Sequence, residues 1–338
     1  VKKKILVALI SVVVLIATGA ATLGYFRMHN DEQRIAAGTL TDDPPRIILD
    51  KLDDGYLWEI RLLAHFGNAS AQAVLGARYQ YGLGVSVDAV QMLQNYLEAA
   101  EKGNHTAQLM LGRLYDPYQY YEFMTTEITQ STIDSVIKSP SGNILLTSKS
   151  GDAKNWYQRS AAQGNVEAMV MLGELLVKET RMADDNITEA AEWFLKAAEN
   201  ENLYGQLRIG EMYVDGYGVN EDVDKGIYWL KKAAEQGIVE AELALGMEYE
   251  TGHTMVRDIQ KAAEWYLLAA QHGNSSAQRN IGKLYANGEG VPRDYVEAYV
   301  WLSRAAAQGA PSAAQARDSL ESRMTPSQVE TAQRNASL

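Results

Sequence analysis

The chain has 338 residues, 46% of them hydrophobic, with only seven prolines, a composition that can bury a large core and argues against general disorder. A net charge of −12 cannot neutralise a phosphate backbone as a whole, which argues against nucleic acid as a partner. There is no cysteine, so disulfides, thiolate metal sites, a cysteine nucleophile and a lipid-modified cysteine are all excluded.

The chain opens with a basic stretch, residues 1–4, carrying Lys2, Lys3 and Lys4. Residues 5–26 follow without a charge. As a helix they would reach about 28–33 Å, against about 30 Å for a bilayer core. The segment reads as a single transmembrane anchor. The small residues around Gly19 and Ala21 also read as the cleavage site of a removed signal, and a buried soluble helix is a third reading. Three lysines before the span and Arg27 after it place the N-terminus in the cytoplasm, and the rest of the chain on the periplasmic side of an inner membrane if the source is bacterial. If the signal is cleaved, the product is periplasmic or secreted. Residues 27–50, with Asp42-Asp43-Pro44-Pro45, read as a polar linker.

From residue 51 the sequence becomes periodic. Residues 51–68 hold a lone second-type helix, Tyr56 to Phe66, ending in Gly67-Asn68 and forming an N-terminal cap. A Leu/Ile-Gly pair then recurs at Gly76, Gly112, Gly173, Gly210, Gly246 and Gly282. Tryptophan recurs at Trp156, Trp193, Trp229, Trp265 and Trp301, with Tyr96 expected in its place in the first copy. Alanine pairs follow: Ala99-Ala100, Ala161-Ala162, Ala197-Ala198, Ala233-Ala234, Ala269-Ala270 and Ala305-Ala306. The boundaries fall at 69–104, 105–165, 166–202, 203–238, 239–274 and 275–310, six repeats in all.

Each repeat reads as two helices. In the first, residues such as Ala241, Leu245 and Tyr249 stand four apart and face inward, and Gly246 admits a neighbouring helix. In the second, Ala262, Trp265, Ala269 and Ala270 share a face, and a glycine such as Gly273 ends the helix in the left-handed region. Turns such as Gly288-Glu289-Gly290-Val291 join the two. The second repeat carries an insertion at about 116–152, opening with Tyr118, Tyr120, Tyr121 and Phe123. The third has Leu176 where others have tyrosine and ends Asn200-Glu201-Asn202. Residues 311–338 form C-terminal capping helices. There Thr325-Pro326-Ser327-Gln328 predicts a helix start with Thr325 as cap and Gln328 reaching back.

The pattern Ala-x3-Leu-Gly-x2-Tyr-x2-Gly-x-Gly-Val, then Ala-x2-Trp-Tyr-x2-Ala-Ala, resembles the Sel-1-like repeat, a relative of the tetratricopeptide repeat. Residues 277–309 carry it most fully, in Ala277, Ile281, Gly282, Tyr285, Gly288, Gly290, Val291, Ala298, Trp301, Ala305, Ala306 and Gly309. The resemblance implies an all-α, right-handed α/α superhelical solenoid of six helix pairs, and a protein-binding or adaptor role.

No constellation of chemistry competes with that reading. The five histidines offer no His-Glu-x-x-His and no i, i+4 pair, so no metal is expected. No cofactor and no catalytic residues are expected either, a hydrolase on this scaffold being the remote alternative. Asp184-Asp185 and Glu221-Asp222 read as solvated pairs between helices. What remains is a binding surface for a protein or peptide or, in a signal-cleaved periplasmic or secreted product, for a cell-wall or host molecule. Opposite the inward face of the first helices stand Arg113, Glu174, Arg208, Glu211, Met247, Glu250, Arg279, Asn280 and Lys283. The tyrosine-rich start of the insertion supplies Tyr118, Tyr120, Tyr121 and Phe123.

Overall fold

A computed structural model of the protein describes residues 57–118, 150–179, 184–252 and 257–336. Over these residues the chain is all-helical, a series of helix pairs with no strand among the described residues. It divides into two compact units, residues 1–179 and 180–338.

In the first unit α1 (Leu57–His65) precedes the pairs α2 (Ala69–Tyr81) with α3 (Ala89–Glu101) and α4 (His105–Tyr115) with α5 (Ser150–Ala162), and α6 (Val166–Glu179) ends it. Each of these helices packs on the next, α4 on α5 included. The second unit opens with α7 (Asp184–Glu199). The pairs α8 (Leu203–Asp215) with α9 (Val223–Ala234), α10 (Val239–Thr251) with α11 (Ile259–Gln271), and α12 (Ser275–Asn287) with α13 (Tyr295–Ala307) follow. Two caps, α14 (Ala313–Glu321) and α15 (Pro326–Ala336), both pack on α13. The hydrophobic segment 5–26 lies outside the described residues, and among those described no helix is long and apolar enough to cross a membrane.

The first helices start on asparagine because its side chain caps a free backbone donor. The Oδ1 atoms of Asn68, Asn104, Asn165, Asn202 and Asn274 each accept from the amide three residues on. The second helices start on aspartate in the same way, at Asp88, Asp222, Asp258 and Asp294. Asp222 is therefore a cap rather than a free turn carboxylate. Asp184-Asp185 begins α7 itself, instead of lying between helices. At the C-terminus the expected capping box is present: Thr325 N donates to Gln328 Oε1 at 2.9 Å, and Gln328 N donates to Thr325 Oγ1 at 3.3 Å.

Within a pair, the glycine of the first helix is the contact point. A Cβ on Gly246 would lie 2.5 Å from the ring of Tyr266, and one on Gly76 would lie 2.7 Å from the ring of Tyr96. Gly112 meets Tyr157 similarly, while Gly210 and Gly282 meet Leu230 and Leu302. The residue that fills the glycine notch is thus the one after the tryptophan. This corrects the expectation for the first repeat: Tyr96 stands at the Tyr266 position, and Asn95 takes the place of the tryptophan. It also corrects the second repeat. There Ser160 and Ala161 are the buried pair and Ala162 is exposed, with Ser160 Oγ donating to the His105 carbonyl at 2.7 Å.

Of the five repeat tryptophans Trp301 is buried and the other four are half-buried, and four of the five lie under a cation three residues on. These are Trp156–Arg159, Trp193–Lys196, Trp229–Lys232 and Trp301–Arg304, at 4.0–5.2 Å from ring centroid to charge.

A second recurring device ties the far ends of each pair together. A buried glutamine early in the first helix accepts a hydrogen bond from the end of the second: Lys102 to Gln72 at 2.8 Å, Gln163 to Gln108 at 2.7 Å and Gln308 to Gln278 at 3.0 Å. Gln236 to Gln206 is longer, at 3.4 Å. The same glutamines donate backwards, Gln108 to the Ala100 carbonyl at 3.0 Å and Gln278 to the Ala270 carbonyl at 3.2 Å. In the fifth repeat the pair becomes Glu242 with His272, 2.9 Å apart.

Candidate binding face

The first helices carry the sequence-predicted binding residues, and the two units treat them differently. In the first unit α2 is buried continuously from Ala71 to Arg78, and α4 from Thr106 to Tyr115. Ala77 is fully buried and Arg113 nearly so. Arg113 pairs with Glu167 of α6, both side chains enclosed. Its guanidinium is held inside the fold by a buried carboxylate. Arg113 therefore leaves the set of surface contacts, and Glu174, on α6, is half-buried.

In the second unit the same helical positions open to solvent. Two rows run across α8, α10 and α12, each stepping 36 residues: Arg208, Ala244 and Asn280, then Glu211, Met247 and Lys283. Met247 is 48% exposed and Lys283 is exposed, while the other four are half-buried. Arg208 and Glu211 pair with one another at 2.9 Å, with about a third of each side chain exposed, so their charges largely cancel. Arg279 bonds the Asn280 amide oxygen at 3.3 Å and the Pro311 carbonyl at 3.4 Å, neither of them a carboxylate. Lys283 stands one turn further along the same helix. The outcome is an apolar centre at Met247 between a neutralised pair on α8 and basic side chains on α12.

Glu250 serves the fold. Its Oε2 accepts from the Tyr266 hydroxyl at 2.6 Å, the same tyrosine that fills the Gly246 notch. Burial first, and then this carboxylate, push the Tyr266 hydroxyl well above the ordinary tyrosine range.

At the mouth of the insertion, Tyr118 is 49% exposed, with the Lys178 ammonium 5.7 Å from its ring centroid. Its backbone amide donates to Asp116 Oδ1 at 2.9 Å, and Asp116 Oδ2 accepts from the buried Tyr157 hydroxyl at 3.2 Å. Tyr120, Tyr121 and Phe123 lie outside the described residues.

Among the described residues no group of three His, Asp or Glu side chains gathers as metal ligands would. His272 meets Glu242 and His105 meets Asn165. Both contacts join neighbouring segments of the fold.

Sequence reading missed the buried glutamines. Their signal was present, since Gln72, Gln108, Gln206, Glu242 and Gln278 recur at the repeat period, but the Leu-Gly and tryptophan landmarks drew the alignment away from them.

Comparison with known proteins agrees with this architecture. The family model described as the Sel1 repeat matches residues 69–104, 151–165, 166–202, 203–238, 239–274 and 275–309. The crystal structure of a Sel1 repeat protein from Oxalobacter formigenes is similar with a TM-score of 0.53 and 25% identity, covering 75% of this chain and 99% of that one. A protective antigen present in uropathogenic Escherichia coli strains, which displays an SLR fold, is 26% identical over 86% of this chain and 75% of its own, with a TM-score of 0.36. No curated protein matches in sequence.

Proposed function

We propose that this chain, which belongs to the Sel1 repeat family, is a non-enzymatic scaffold that holds a polypeptide partner on the open first-helix face of its second unit. Repeats of this family generally build protein-interaction scaffolds. The observation that carries the proposal is the contrast along one helical position: enclosed at Ala77 and Arg113, open at Met247 and Lys283. An exposed methionine adapts its shape to an apolar side chain, and the mixed charges around it suit a polypeptide better than a polyanion. Residues 5–26 hold the scaffold at the bacterial inner membrane with the repeats on the periplasmic side, raising its effective concentration near membrane partners.

The test is a photo-cross-linking amino acid placed at Met247 and, as a control, at the exposed Lys232 of α9, followed by recovery of adducts from cells. The Met247 probe traps a discrete polypeptide and the Lys232 probe does not. Met247→Asp then weakens capture of that polypeptide by about tenfold or more, as for a residue central to an interface. Equal adducts from both positions, or capture unchanged by Met247→Asp, would sink the assignment of this face.

A further inference from the structure

Three of the five large apolar side chains exposed among the described residues of the first unit fall together on α1 and its end. Trp58 is 63% exposed, Leu62 49% and Phe66 77%. Standing four residues apart, they form one stripe along the helix. Arg61 and His65, also exposed, follow the same four-residue spacing along one flank. Phe66 meets the His65 ring edge-on with centroids 5.5 Å apart, and Leu57, Trp58, Arg61, Leu62 and His65 line a shallow hollow on this side. At the helix end the Lys102 ammonium donates to the Gly67 carbonyl at 3.1 Å, adding a third basic group in a chain of net charge −12.

Large apolar side chains clustered in the open mark a surface that something else covers. Tryptophan and phenylalanine beside basic residues, on a helix that contributes no deep pocket, have the chemistry of a bilayer interface. There the rings sit at headgroup level and the cations meet lipid phosphates. Position supports the same occupant. The 30 residues from Arg27 to Tyr56 separate this helix from the apolar segment 5–26. Whatever its conformation, a stretch of 30 residues spans at most about 100 Å, which confines this helix to the neighbourhood of that bilayer.

We infer that α1 is a second membrane contact, its Trp58–Leu62–Phe66 stripe seated in the interface of the bilayer that residues 5–26 span. This inference rests on the reading of 5–26 as an anchor. The stripe orients the first unit against the membrane.

The absence of cysteine makes the test direct. Leu62→Cys, and Gln271→Cys at the exposed end of α11 as a control, are introduced singly into the full chain. Each is labelled with an environment-sensitive fluorophore and reconstituted into phosphatidylcholine–phosphatidylglycerol vesicles. With brominated lipid, the label at position 62 should lose about half its emission or more and the label at 271 almost none, as expected for a group within 5–10 Å of the headgroups. If the protein floats with the vesicles but neither label is quenched, the inference falls and the anchor stands. If the protein does not float, the anchor reading falls as well. Excimer emission from pyrene at position 62 would mean that a second copy covers the stripe, which also overturns the proposal.

Discussion

At the scale of single residues, the glycine notch leaves no room for a side chain in five of the repeats. Its partner is a packed ring in the first, second and fifth repeats and a leucine in the fourth and sixth. In Gly246→Ala the new methyl would lie 2.5 Å from the Tyr266 ring, which is held by its hydrogen bond to Glu250 and has little room to move. The substitution is expected to cost about 1–3 kcal/mol, as overpacking does, even though alanine favours a helix more than glycine. Thermal or urea unfolding followed by circular dichroism measures it, and a gain in stability would refute the notch. The sequence made this glycine visible through its period. It did not make the partner visible, because Trp265 and Tyr266 are adjacent and both aromatic. Only helix phase, about 100° per residue, decides which of them faces the notch.

At the scale of helices, the two units show how far a repeat pattern determines its surface. The inward positions Ala241, Leu245 and Tyr249 were legible from their spacing, and all three are buried. The outward positions were not. Arg113 occupies the same repeat position as Met247 and Lys283, so periodicity alone assigns it to the same face. Its surroundings gave the warning: the row that reads Arg208 and Asn280 in the second unit reads Val74 and Met110 in the first, and these two are buried. Once enclosed, Arg113 needs Glu167. Arg113→Ala would leave that carboxylate buried without its countercharge, at a cost of about 3–5 kcal/mol. Denaturant unfolding of the full chain checks this. The double variant Arg113→Met with Glu167→Leu should recover most of the loss, whereas equal stability of Arg113→Ala and the parent would contradict a buried pair.

At the scale of the whole molecule, buried tyrosine hydroxyls set an alkaline limit. Burial pushes Tyr81 up to about 12, and pushes Tyr96 and Tyr157 well above the ordinary value of 10.0. Below pH 10 these groups are protonated both folded and unfolded, and their contribution to stability is fully present. Above it the unfolded chain releases its phenolic protons while the folded chain keeps them, so stability falls as pH rises from 10 towards 12. Tyrosinate absorbance near 295 nm should therefore rise in two stages, exposed tyrosines first and the buried set together with loss of helical signal. A single gradual titration that leaves the helices intact would show that these hydroxyls reach solvent in the folded state.

The buried glutamines have a bearing on how such a chain changes over evolutionary time. Gln108 and Gln278 use their oxygens within their own repeats and their amide hydrogens on the helix before. A duplicated or deleted block of 36 residues therefore arrives with one donor and one acceptor already matched to whatever neighbour it meets. The 25 extra residues in the second repeat lie between the two bonded ends, whose separation grows from 30 to 55 while the bond itself persists. Copy number and loop length are thus free to vary independently of the joints, so new recognition segments can be grafted between paired helices without redesigning the array.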